Sequence, residues 1–348
     1  MFTGDKSRTV LLSWTILLVA SLTITGCGVA VLAQETTQTT PPSTISPLNS
    51  PSPAAFTYTP IPSGTSLPSV SFSKITPSLI PTLPGSTPTR LPPGAWKSMP
   101  IVPLGVSQTA RDIYQRGLVM GNNPHAFSKI GDCQSISTFF LSYFDLPEYY
   151  DLGPYADLQE TIDWYAGSFS RDSLAVKGGF NAAAILSPLR ADQYKCNSNE
   201  NPVMCELRLN HPSLVIISLE EWWAGHPENY EKYLRRIIEY VISKGVVPIL
   251  GTKADNLEGN DLINQTIADL AQEYDIPLWN FWASVQDLPN HGLVQYDPWG
   301  AVDLFHLTHS ESYYHYNDPN VEPSGWSMRN LTALQALDAV RRGLAGQP

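Results

Sequence analysis

The chain has 348 residues, of which only 15% are charged, and a formal net charge of -11 at pH 7. That balance leaves no basic face for nucleic acid, and the length allows one or two domains with a full core. The 30 prolines among so few charges point to a globular part joined to a proline-rich, low-charge segment.

Residues 1–27 begin with Lys6 and Arg8 and run on through the uncharged apolar stretch from Val10 to Ala20, the pattern of an export segment. The end of this segment, Leu22 through Gly26 to Cys27, resembles the bacterial lipobox, in which a small residue precedes a cysteine that takes lipid after cleavage. That resemblance makes Cys27 the lipidation site. An uncleaved membrane anchor competes with it, because no charge follows until Glu35 and the stretch is long enough to span a bilayer. Both readings put the rest of the chain outside the cytoplasmic membrane. Residues 28–95 are dominated by Ser, Thr and Pro, and beyond Glu35 only Lys74 and Arg90 are charged. Such a tract buries too little surface to offset chain entropy, so it reads as a disordered stalk.

Residues 96–348 read as the folded domain. Helices are predicted over 106–119 and 158–165, and an amphipathic run, 136–144, follows Cys133. Asn181 is placed to cap a helix after the Gly178-Gly179 turn. Phe127 to Asp132 is predicted as the first strand. Ser213 to Leu219 and Val246 to Leu250 are continuous apolar runs, the mark of strands buried on both faces. Between them, 227–244 carries Tyr230, Leu234, Ile237, Ile238 and Val241 on one helical stripe, with Gly245 as its stop. A further helix over 261–274, a short strand over 276–280 and a closing helix over 331–344 complete the pattern. Buried strands alternating with helices predict an α/β fold, a three-layer α/β/α sandwich with a mostly parallel sheet.

The four cysteines sort by position. Cys196 and Cys205 share a polar stretch, which in an oxidising compartment reads as a disulfide, with two separate thiols as the alternative. Cys133 then remains, at a strand end followed by a sharp turn. A helix start there would lower the thiol pKa and favour the thiolate nucleophile. A structural, buried thiol is the competing reading. Ser135, two residues on, is the alternative nucleophile, though a helix start would point it along the helix. Ligands of open parallel sheets bind beyond the carboxyl ends of the strands. Cys133, Glu220 and Glu221 with Trp222 and Trp223, and the Asp303-to-His306 turn all fall at such ends. A thiol, an imidazole and a carboxylate at one rim make a nucleophile, a base and its orienter. Trp222, Trp223, Trp279, Trp282 and Trp299 are candidates for stacking on sugar rings or for ordinary packing. No cofactor is expected, and His309, His315 and Asp318 are too irregularly spaced for a metal site.

The order Gly131-Asp132-Cys133, the Gly178-Gly179-Phe180-Asn181 turn, a strand ending in polar residues, and Asp303 with His306 at i+3 resembles the SGNH/GDSL hydrolase superfamily over roughly residues 125–310. The resemblance implies a flavodoxin-like fold and cleavage of an ester through an acyl-enzyme. It assigns Cys133, His306 and Asp303 to catalysis, and Gly179, Asn181 and Glu220 to the oxyanion or substrate site. Cys133 replaces the serine of that superfamily, and Glu220 replaces its third-block asparagine. Losing one oxyanion donor costs about 10²–10³ in rate. The expectation is an exported, membrane-tethered, monomeric hydrolase acting on an extracellular ester such as an acyl group on a glycan. The alternative is an inactive relative that binds a glycan or ligand at the same rim.

Overall fold

The computed structural model describes residues 90–219, 226–310, 313–318 and 322–346. The expected export segment, Cys27, most of the stalk and the Glu220 to Trp223 stretch lie outside these. Four strands, β1 (Asn123–Gly131), β2 (Pro212–Ser218), β3 (Val247–Gly251) and β4 (Leu278–Trp279), form one sheet in the order β1-β2-β3-β4. Every pairing is parallel. The register sets Ile130 beside Ile217, Ile217 beside Leu250 and Leu250 beside Leu278. Both β2 and β3 are buried at every position, as their unbroken apolar sequences require of strands covered on two sides. The α/β fold is therefore as expected.

Helices make the crossovers that parallel pairing demands. Helix α1 (Gln108–Val119) precedes β1, α2 (Gln159–Trp164) and α3 (Pro202–Asn210) fall between β1 and β2, and α4 (Tyr230–Ser243) joins β2 to β3. Helix α5 (Leu262–Glu273) joins β3 to β4, and α6 (Phe281–Val285) and α7 (Gly325–Leu344) follow. Helix α4 packs on α5, while α7 packs on α1, α2 and α6. The predicted stop at Gly245 is present with φ +68°, and a Cβ at Gly117 of α1 would lie 1.9 Å from the Gly245 carbonyl. Glycine is needed on both sides of that crossing. No helix among the described residues is long and apolar enough to cross a membrane.

Four local expectations differ. The run 136–144 is not an α-helix. After a three-residue 3-10 turn at Cys133–Ser135 the chain stays irregular until a second one at Ser142–Asp145, with Leu141 left-handed at φ 67°. Asn330 of α7 explains this: its Oδ1 accepts from the Leu141 amide (2.7 Å) and its Nδ2 donates to the Phe139 carbonyl (3.1 Å). Those peptide groups are thus satisfied by tertiary partners rather than a helical ladder. The helix predicted after Asn181 is only a 3-10 turn, Ala184–Leu186, because Pro188 follows. Conversely, the polar stretch carrying Cys205 folds as α3, capped by Asn201. Helix α7 begins ahead of the predicted Leu331, where Ser324 and Ser327 form a capping box.

Candidate active site

The turn after β1 is built by a glycine and an aspartate. A Cβ on Gly131 would fall 2.1 Å from Ser135 Oγ and 2.8 Å from the Ser218 carbonyl, so only glycine lets the turn fold back on the sheet end. Asp132 is buried and its Oδ1 accepts from the Gln134 amide at 2.9 Å, capping the Cys133–Ser135 turn. Gln134 and Ser135 are buried, whereas Cys133 is half-exposed and outside any disulfide. The turn therefore directs the cysteine outward. Ser135 faces inward, its Oγ 3.4 Å from the Ser218 carbonyl, which disfavours it as a nucleophile.

Asp303 and His306 meet as their spacing predicts. Nδ1 of His306 lies 2.8 Å from Asp303 Oδ2, and Asp303 Oδ1 accepts from the backbone amides of Phe305 (3.1 Å) and His306 (3.0 Å). With Nδ1 donating to the carboxylate, Nε2 is the nitrogen that can take a proton. Burial pushes the Asp303 carboxyl upward, but hydrogen bonds from the His306 amide, the His306 ring and the Phe305 amide outweigh it and hold it below its ordinary value. The carboxylate stays ionised and keeps the imidazole oriented. The His306 side chain is 43% exposed.

These two elements are tied together by a bond the sequence does not advertise. Gln134 Nε2 donates to the Phe305 carbonyl at 3.0 Å, so the residue after Cys133 grips the residue before His306. Arg329 of α7 braces the same turn from behind. Its Nε donates to the Gln134 carbonyl (3.1 Å) and an NH2 group donates to Ser218 Oγ (2.8 Å) at the end of β2. The guanidinium is buried against the rings of Phe140, Trp279 and Phe281, 4.9 to 5.2 Å from their centroids. Stacking of this kind suits the weakly hydrated arginine cation. No local pattern in the sequence singles out Arg329, which lies just ahead of the helix predicted over 331–344.

The turn at 178–181 arrives on the other side of β1. Val176 bridges Gly131 in parallel, and the Gly131 amide donates to the Ala175 carbonyl at 3.0 Å. Gly179 is left-handed (φ 80°) and exposed. Asn181 uses Oδ1 to cap the following turn, accepting from the amides of Ala183 (3.0 Å) and Ala184 (2.8 Å), so its Nδ2 is the end available to donate. The amides of Gln134 and Ser135 are both committed to Asp132, which removes them from the set of oxyanion donors. Glu220 lies outside the described residues, so the rim is described without it. A cavity of about 830 Å³ opens beside this turn, lined by Val176, Lys177, Phe180 and the disulfide loop, but not by Cys133 or His306.

Cys196 and Cys205 are joined, and the neighbouring Glu206 secures α3 to β1 by accepting from Ser128 Oγ at 2.6 Å. His309 packs among Phe139, Tyr313 and Trp326, and burial, with His306 nearby, lowers its pKa. Among the described residues no group of three His, Cys, Asp or Glu side chains is arranged to hold a metal. The tryptophans separate: Trp279 is core, Trp282 packs on Trp96 at 4.9 Å, and Trp299 is exposed. No protein-family model matches the chain, and no curated protein matches it.

Proposed function

We propose that this chain is an ester hydrolase of SGNH/GDSL type that uses a thiol nucleophile. The observation that carries the reading is the Gln134–Phe305 hydrogen bond, which joins the turn bearing Cys133 to the loop bearing the Asp303–His306 pair. Counting the Val176 bridge beside β1 as a short edge strand makes the spatial order 2-1-3-4-5, the flavodoxin-like order. Cys133 then falls at the point where the strand order reverses, where such sheets take their ligands. A three-layer sandwich of this type is part of the proposal.

Cys133 gives its proton to His306 Nε2 and its sulfur attacks the acyl carbon. The tetrahedral oxyanion is held by the Gly179 amide and Asn181 Nδ2. Collapse breaks the ester C–O bond, and the leaving alcohol takes the proton from His306. Water, deprotonated by the same imidazole, then attacks the thioester, and the acid and the thiol are released. Asp303 orients the ring and stabilises the imidazolium through both steps. The export-type pattern of residues 1–27 and its lipobox-like end at Cys27 support a reaction outside the cytoplasmic membrane, on a monomer tethered by lipid or anchor.

The test is hydrolysis of short-chain aryl and sugar acetates by the full chain, by Cys133→Ala and by His306→Ala. The proposal expects activity in the parent and its loss in both variants. Activity surviving Cys133→Ala would mean another nucleophile. An inactive, folded parent would favour a ligand-binding relative.

A further inference from the structure

The segment that carries Asp303 and His306 is the base of a two-stranded ribbon. Leu293 bridges Leu307 and Tyr296 bridges Val302, both antiparallel. The Asp303 amide donates to the Gln295 carbonyl at 3.0 Å, and the Val294 amide donates to the His306 carbonyl at 2.8 Å. The tip is held by its own bonds. Asp297 Oδ1 accepts from the amides of Trp299 (3.0 Å) and Ala301 (2.8 Å), the Asp297 amide donates to the Ala301 carbonyl (2.8 Å), and Gly300 takes φ 84°. This pinned tip presents Trp299 at 85% exposure, flanked by Tyr296 at 54%, Val302 at 68% and Leu304 at 40%.

Four large apolar side chains exposed on one ribbon make the kind of patch that marks a binding surface. The backbone of the tip is held before any ligand arrives, so little backbone freedom is lost on binding. Charge narrows the ligand class. From residue 254 to residue 328 there is no Lys or Arg, while Asp297 and Asp303 lie on the ribbon itself. An anionic polymer or an anionic lipid surface would be repelled there. A neutral, hydroxyl-rich ligand with flat apolar faces, a sugar chain, matches both the aromatic rings and the lack of Lys and Arg on the ribbon itself. The ribbon runs three residues from Leu293 to Tyr296 at about 3.3 Å per extended residue, so Trp299 at its tip and His306 at its base are separated by more than about 10 Å. A ligand touching both must be longer than a single sugar.

We infer that Trp299, with Tyr296, forms a stacking subsite for a neutral polysaccharide whose acyl group is presented to Cys133 and His306. This deepens the proposed function and rests on it for the acyl group, but not for the binding. The experiment is therefore run on full chain carrying Cys133→Ala. Its mobility is measured in native gels containing acetylated xylan or acetylated glucomannan, with polygalacturonate as the anionic comparison.

Retardation by the neutral polymers is expected, weakened at least about fivefold by Trp299→Ala and restored by Trp299→Phe. Tyr194→Ala, which removes a 90% exposed ring just ahead of the disulfide loop, should leave it unchanged. No retardation, an equal loss with Tyr194→Ala, or retardation by polygalacturonate alone would overturn the subsite. Quenching by brominated phosphatidylcholine vesicles that disappears in Trp299→Phe would assign the ring to a bilayer and equally overturn it. Trp299-dependent binding in a chain whose parent hydrolyses nothing would keep the subsite and remove only the Cys133 mechanism.

Discussion

Lys129 lies in the middle of β1, buried, with Nζ donating to Ser137 Oγ (2.9 Å) and to the Phe169 carbonyl (2.8 Å). Burial lowers its pKa from 10.5 to about 7; Arg171 adds to the effect, while Asp172, Glu206 and Asp145 oppose it. Between those two pKa values the unfolded chain holds a proton that the folded chain has lost. Stability therefore rises with pH across that window, and the cost of the charged lysine is fully present below pH 7. At 1.36 kcal/mol per unit, the span from pH 7 to 9.5 is worth about 3 kcal/mol from this one group. Lys129→Met removes the titration but leaves the Phe169 carbonyl without its donor, which costs about 1–3 kcal/mol at any pH. Urea unfolding of parent and variant at pH 7, 8, 9 and 9.5 should show the parent gaining on Lys129→Met as pH rises. Above pH 10 both lose stability, because buried Tyr165 and Tyr314 and half-buried Tyr316 hold their protons when folded and release them when unfolded. Parallel profiles from pH 7 to 9.5 would refute the assignment of a neutral lysine to the interior of β1.

Arg171→Ala strands the fully buried Glu206, which also accepts from Ser128 Oγ and the Leu174 amide, and should cost about 3–5 kcal/mol in denaturant melts. Glu206→Gln should cost less, because the Arg171 side chain keeps 26% exposure; equal costs would contradict the asymmetry. Gly131→Ala forces a Cβ into Ser135 and the Ser218 carbonyl and should lower stability by several kcal/mol in thermal melts, as overpacking against backbone does. Adding Ser135→Gly should recover only part of it. On the proposed mechanism, Asp303→Asn leaves the fold intact but lowers acetate hydrolysis by about 10⁴; an unchanged rate would remove Asp303 from its orienting role.

Much of the scaffold could be read without coordinates because it follows from local pattern. The apolar run from Ser213 to Leu219 has no polar residue to face water beyond its serines, so it must be covered on both faces. The stripe through Leu234, Ile238 and Val241 can be buried only as a helix. Asp303 and His306 sit three residues apart, a separation short enough for a turn to close, and they meet. Cys196 and Cys205 are nine apart and are joined.

What could not be read depends on partners far away in the chain. Gln134 and Arg329 look like surface residues in a linear string, yet they hold the site from 171 and 195 residues away. The stretch from Ile136 to Phe144 has a helical pattern, but Asn330, 189 residues from Leu141, takes its peptide groups. Five tryptophans looked equally fit to stack on a ligand; Trp279 went to the core, while Trp299 was left in water. Periodicity, caps and spacing are short-range properties, and they specify which elements form and which nearby side chains pair. Which polar groups are buried, which amides are consumed and which ring stays exposed depend on contacts made only once the sheet and its helices have closed.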